Sequence, residues 1–153
     1  LQIPEKGRVQ MSRIEESVEI NCPVEKAFAF TTDARNWNKW LTFIPEAEQT
    51  SQGPVGVGTT FQGTNRMMGR TMKWSGKATE YEKNRKFGKN VTSGPVLVEQ
   101  HYTCQPMKEG TKFTIVYDMK VNGLLKLLSP LIVSSTHKEL KNSLVNLKQI
   151  LEV

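Results

Sequence analysis

Residues 129–153 read SPLIVSSTHKELKNSLVNLKQILEV, and their spacing decides the layout of the fold. Val133, His137, Leu140, Leu144, Leu147 and Leu151 recur at intervals of four and three, which draws one stripe along an α-helix. Lys138, Lys141 and Lys148 fall outside that stripe. Pro130 suits a first helical position, where its missing N–H leaves nothing unpaired, so Ser129-Pro130 divides a short lead-in beginning at Gly123 from a long main helix. A helix with one apolar stripe must bury it against another layer. The residues that precede it have to supply that layer.

Those residues alternate. Phe113, Ile115, Tyr117, Met119 and Val121 share one phase, as do Val96, Val98, Gln100, Tyr102 and Cys104, which is the signature of half-buried strands. Turn signals at Gly53-Pro54, Met68-Gly69, Asn84-Arg85, Gly94-Pro95 and Glu109-Gly110 divide the chain, predicting strands at 46–52, 59–68, 71–83, 86–93, 96–105 and 111–121. Connections this short join only antiparallel neighbours, so the strands form a meander. Upstream, Ile14, Val18 and Ile20 alternate with Arg13, Glu15, Ser17 and Glu19 in a first strand. Pro23 then opens a short helix through Thr32, and Asp33 caps a second that carries Trp37 and Trp40 and that Pro45 stops. The expected class is α+β: a seven-stranded curved antiparallel sheet around a long C-terminal helix, with two short helices after the first strand.

At 153 residues the chain has room for one core, assigned to residues 12–153 as a single domain, with 1–11 read as an N-terminal extension or cloning remnant. No stretch approaches the roughly 20 apolar residues that span a bilayer. The net charge of +6 comes from scattered basic residues and describes a solvated basic surface rather than a specific nucleic-acid site. Cys22 and Cys104 form no metal-binding or disulfide pattern, so free buried thiols in a reducing cytoplasm are expected. Neither a phosphate-cradling glycine loop nor a nucleophile elbow is present, and no metal or other cofactor is implied.

Several fragments, in this order, resemble the START-related helix-grip superfamily (SRPBCC), which includes polyketide cyclases and lipid-transport-like proteins. Val18-Glu19-Ile20-Asn21-Cys22-Pro23 with Val24–Phe28 is similar to that family's first strand running into its first helix. Asp33–Trp40 resembles its second helix, Gly58-Thr59-Thr60-Phe61 its glycine-led third strand, and Gly110-Thr111-Lys112-Phe113-Thr114 the opening of its last strand. The ending Ser143–Glu152 completes a likeness over nearly the whole chain. The resemblance implies a cavity between sheet and helix that takes an apolar small molecule such as a lipid, a polyketide or an aromatic compound.

Alternation and bulk nominate the wall of that cavity. Phe61, Met67, Met72, Trp74, Val98 and Phe113 are candidates, with Ile115, Met119, Ile132, His137 and Leu140. Asn65, Gln100, Tyr102, Tyr117 and Glu80 are polar groups at inward-phase positions, and Glu16 is a further inward-phase carboxylate expected to pair with an Arg or Lys on a neighbouring strand. Three functions compete. A carrier needs only the cavity; a cyclase- or dehydratase-like enzyme would move a proton through Tyr102, Tyr117 or His137; an interaction module would use the basic surface for transient contact with a membrane or a partner. A monomer and a homodimer paired through an edge strand are both compatible with this pattern.

Overall fold

The computed structural model describes residues 11–153. The extension expected at 1–11 therefore lies, apart from Met11, outside the described residues. Strand β1 (Ser12–Ile20) leads into helices α1 (Val24–Thr31) and α2 (Ala34–Trp40). Strands β2 (Glu46–Gln49), β3 (Thr60–Met67), β4 (Arg70–Glu82), β5 (Lys86–Ser93), β6 (Val96–Met107) and β7 (Gly110–Val121) follow. A 3-10 helix (Gly123–Leu128) precedes the 23-residue α3 (Ser129–Leu151). The strands form one antiparallel sheet in the order β1-β7-β6-β5-β4-β3-β2, so β1 leaves the meander and closes on the last strand. This is the α+β helix-grip arrangement expected from the sequence. No helix among the described residues is long and apolar enough to cross a membrane.

The core lies between the concave face of the sheet and α3. Ile132, Leu140, Leu144, Leu147 and Leu151 are buried, together with Ser143. The C-terminal end of α3 is pinned as well as packed. The Lys26 ammonium donates to the Leu151 carbonyl at 3.1 Å, Lys148 to the Glu19 carbonyl at 2.7 Å, and the Asn21 N–H to the Glu152 carboxylate at 2.9 Å. Further up the helix Glu139 and His137 are held by Thr42 and Glu16, whereas no side-chain hydrogen bond to another element holds residues 129–136 among the described residues. Val133 and His137, expected on the buried stripe, are only half-buried, because the helix is rotated so that Ile132 and Leu140 point most directly at the sheet.

The two short helices plug one end of the groove with indoles. Trp37 and Trp40 are fully buried, and the Trp37 N–H donates to the Thr31 carbonyl at 2.8 Å, which fixes α2 against the end of α1. Asp33 caps α2 by accepting from the Arg35 N–H at 3.0 Å. The Arg35 guanidinium hydrogen-bonds the same carboxylate and holds its pKa below the usual 3.8. Asp33→Ala is therefore expected to cost about 1 kcal/mol of stability, as loss of an N-cap usually does, and Asp33→Asn less, in urea unfolding at pH 7. Because the folded carboxyl is depressed, this stability is present above the ordinary value and is lost as pH falls through the lower folded one. The difference between wild type and Asp33→Ala should shrink accordingly on acidification.

Candidate functional site

A cavity of about 60 Å³ lies between the concave face and the N-terminal half of α3. Its position follows from what α3 presents there. Toward its C-terminus the helix fills the groove with leucines, whereas along its first turns it offers Ser135, Thr136 and Glu139, which are too short or too polar to fill the same space. The opposite wall is sheet: Asn65 and Met67 from β3, Trp74 from β4, Lys89, Val91 and Ser93 from β5, and Val96, Val98 and Gln100 from β6, with Tyr117 and Met119 from β7. Trp37 closes the inner end, and Leu41, Phe43 and Ile44 after α2 line the side, near Arg66. The Thr42 N–H donates to Ser143 Oγ at 3.0 Å, and Thr42 Oγ1 also hydrogen-bonds Glu139, which ties this loop to α3.

Backbone proximity seats one wall residue. Gly63 lies where an added Cβ would come within 2.1 Å of the Glu46 carbonyl oxygen and 2.8 Å of the Trp74 ring, so the indole lies flat across β3 only because no side chain is there. The Trp74 N–H then donates to the Thr64 carbonyl at 3.1 Å.

The dominant polar feature is Lys89, which the sequence reading did not single out. Its side chain is 3% exposed, and its ammonium sits 3.3 Å from the centre of the Trp37 ring, with Trp74 at 5.0 Å and Phe61 at 5.4 Å. The aromatic faces attract the charged form. Burial opposes them and pushes the amine well below its usual 10.5. The signal was legible in principle: Phe87, Lys89, Val91 and Ser93 share one strand phase, and Lys89 is the charge within it.

Lys89, Gln100 and Tyr117 form a row. Lys89 pairs with Gln100 across β5 and β6, and Gln100 with Tyr117 across β6 and β7, so three polar side chains stand side by side on the concave face. Gln100 Nε2 donates to the Tyr102 hydroxyl at 2.9 Å. Burial raises the pKa of both Tyr102 and Tyr117, which keeps each phenol protonated.

Of the residues nominated from sequence, Asn65, Met67, Trp74, Val98, Tyr117 and Met119 line this cavity, as does Gln100. Phe61, Tyr102, Phe113, Ile115, Ile132 and Leu140 are fully buried but lie in the packed core, where the Tyr102 ring packs at a tilt against Phe113 at 5.3 Å and Phe87 at 5.8 Å. Met72 lies toward the β3–β4 turn, only partly buried and off the cavity wall. His137 stands on the flank of α3 and contacts Glu16 of β1 at 2.5 Å, with Lys141 3.8 Å from the same carboxylate. Glu16 thus pairs with the helix rather than with a neighbouring strand. Glu80 does not face inward: a register shift between Ala78 and Glu80 reverses the phase of β4. Glu80 consequently meets His101 at 3.6 Å on the outer face, while Tyr81 turns in against Phe28. Cys22 and Cys104 are both free and buried, and burial pushes the Cys104 thiol up to about 12. No cluster of three or more metal-ligating side chains occurs among the described residues.

The model of the family described as polyketide cyclase/dehydrase and lipid transport matches residues 11–152, and the chain belongs to that family. Among solved structures, a protein from Thermus thermophilus is similar with a TM-score of 0.77 at 16% identity, covering 90% of this chain and 95% of that one. The Zhui aromatase/cyclase from Streptomyces sp. R1128 is similar with a TM-score of 0.76 at 10% identity, covering 92% and 94%. Ara h 8.0201 aligns with a TM-score of 0.69 at 14% identity, covering 93% and 98%. A search of curated proteins gives no significant match.

The lysine makes a prediction about stability. An ionisable amine held in an apolar cage without an anion costs several kcal/mol in desolvation, which the ring faces offset only in part. Lys89→Met, close in volume and wholly apolar, is expected to raise stability by about 1 kcal/mol or more in chemical denaturation. A destabilised variant would show instead that the ammonium–ring contacts outweigh the burial cost.

Proposed function

We propose that this protein binds and carries an apolar small molecule in the cavity between α3 and the sheet. The observation that supports this most directly is the asymmetry of α3: its C-terminal half fills and locks the groove, and its N-terminal half leaves space lined by aromatic, Met and Val side chains. At about 60 Å³ the cavity is far smaller than the roughly 300–1,000 Å³ of drug-sized sites, so a ligand has to enlarge it. Met67 and Met119 are flexible walls suited to that change, and the unpinned first turns of α3 can move outward without disturbing the anchored end. The competing reading, a cyclase- or dehydratase-like enzyme, has Tyr117 as the single cavity-lining residue among its three candidate proton carriers. Native mass spectrometry of the purified protein, alongside its organic extract, is expected to show a defined apolar compound. Ser135→Phe, which fills the cavity from the helix side, should abolish that occupancy. A protein empty in both forms that also takes up no added apolar compound would count against the reading.

A second observation favours transient membrane contact as the route of exchange. The 3-10 helix and the start of α3 expose Leu124 at 92%, Leu127 at 88% and Leu131 at 58%, with Lys126 among them. Leucines held in water beside a lysine, on a chain of net charge +6, suit insertion into an anionic bilayer surface. Cosedimentation with vesicles containing phosphatidylserine is expected for wild type and should fall about tenfold or more in the double variant Leu124→Glu, Leu127→Glu, since each buried leucine contributes about 1.5–3 kcal/mol. Equal binding of both proteins would remove the leucines from the contact.

A further inference from the structure

Lys89 is the only Lys, Arg, Asp or Glu that is buried among the described residues, and burial alone accounts for its perturbed state: no charged partner acts on it. The one carboxylate on the cavity wall, Glu139, is held by Thr42 and makes no ion pair with it. Two strands across in the same row, Tyr117 carries a hydroxyl that has no hydrogen bond among the described residues, although the residue is only 5% exposed. The cavity wall thus contains two donors in one row, Lys89 and Tyr117, on buried residues, and neither makes a hydrogen bond among the described residues. Buried polar groups are ordinarily paired, and those left unpaired point to a missing partner.

We infer that the ligand of this cavity is an apolar molecule with an acidic head, a carboxylate or similar small anion, that seats between the Lys89 ammonium and the Tyr117 hydroxyl. The inference rests on the binding function proposed above and specifies its ligand class. An anion accepts from both donors at once, and a charge-assisted hydrogen bond in a water-poor site is stronger than a neutral one. A cationic head would meet like charge at Lys89. A neutral head such as an alcohol would leave the amine without a counter-ion. Gln100, between the two donors, has its Nε2 turned to the Tyr102 hydroxyl, and its neutral amide oxygen supplies no counter-charge to the amine. The apolar body of the ligand would extend along Val91, Val96 and Val98 toward Met67 and Met119.

The test compares decanoic acid, decan-1-ol and methyl decanoate by isothermal titration at pH 7, on wild type, Lys89→Met and Tyr117→Phe. Wild type should bind the acid about tenfold or more tightly than the alcohol or the ester. Lys89→Met should lose that preference while keeping its affinity for the alcohol, and Tyr117→Phe should lower acid affinity by a smaller factor. Retained alcohol binding shows that each variant is folded with its cavity intact. Equal affinity for acid, alcohol and ester in wild type, or an acid preference that survives Lys89→Met, would overturn the inference while leaving the binding function standing. Binding of none of the three to wild type would overturn both.

Discussion

The burial of one helical stripe governs this molecule. Leu140, Leu144, Leu147 and Leu151 have to leave water together, and the only surface large enough to receive them is the concave face of a sheet that curves around the helix. The pairing of β1 with β7 completes that face, and the hydrogen bonds from Lys26, Lys148 and Asn21 fix where the helix ends. Once the C-terminal half is fixed, the direction of the N-terminal half is set as well. Whatever α3 carries there determines whether the groove is filled or hollow, and Ser135 and Thr136 leave it hollow.

The hollow contains a buried lysine beneath three aromatic rings. Burial of such a group without a counter-ion carries a desolvation cost that no other residue of the surrounding core carries. The surrounding elements are nonetheless built to hold it. Trp37 is fixed by its hydrogen bond to Thr31, and Trp74 lies where Gly63 permits. Cage walls on α2 and β4 surround the lysine, and flexible methionines on β3 and β7 line the remainder of the cavity. A site that orients a ligand by one group and accommodates the remainder by volume has this arrangement.

Much of the fold was legible because its elements are strongly periodic. Every strand from β1 to β7 falls within a few residues of the position its alternation predicts, and the Asp33 cap, Pro23 and Pro130 sit at helix boundaries for the steric and hydrogen-bonding reasons that made them readable. The site was less legible. Glu80 shows why: alternation assigns it inward, but one register shift after Ala78 reverses every later side chain on that strand. His137 fits the four-and-three spacing of α3, yet a small rotation of the helix places it beside Glu16 instead of inside the cavity. Periodicity locates a face to within tens of degrees, and the boundary between wall and flank is finer than that.

By itself the sequence determined the elements, their order and the antiparallel meander, because these follow from local periods and from connections too short to allow other pairings. Lys89 stands as a charge in the phase of Phe87 and Val91 on β5, a signal that alternation contains but that the sequence analysis did not use. Only the tertiary structure decided what surrounds that charge. Trp37, Phe61 and Trp74 come from α2, β3 and β4 and meet over Lys89 through the curvature of the sheet, while Gln100 and Tyr117 join it through cross-strand register. Contacts between residues distant along the chain depend on twist, register and helix rotation acting together, and no local pattern of side chains encodes their sum.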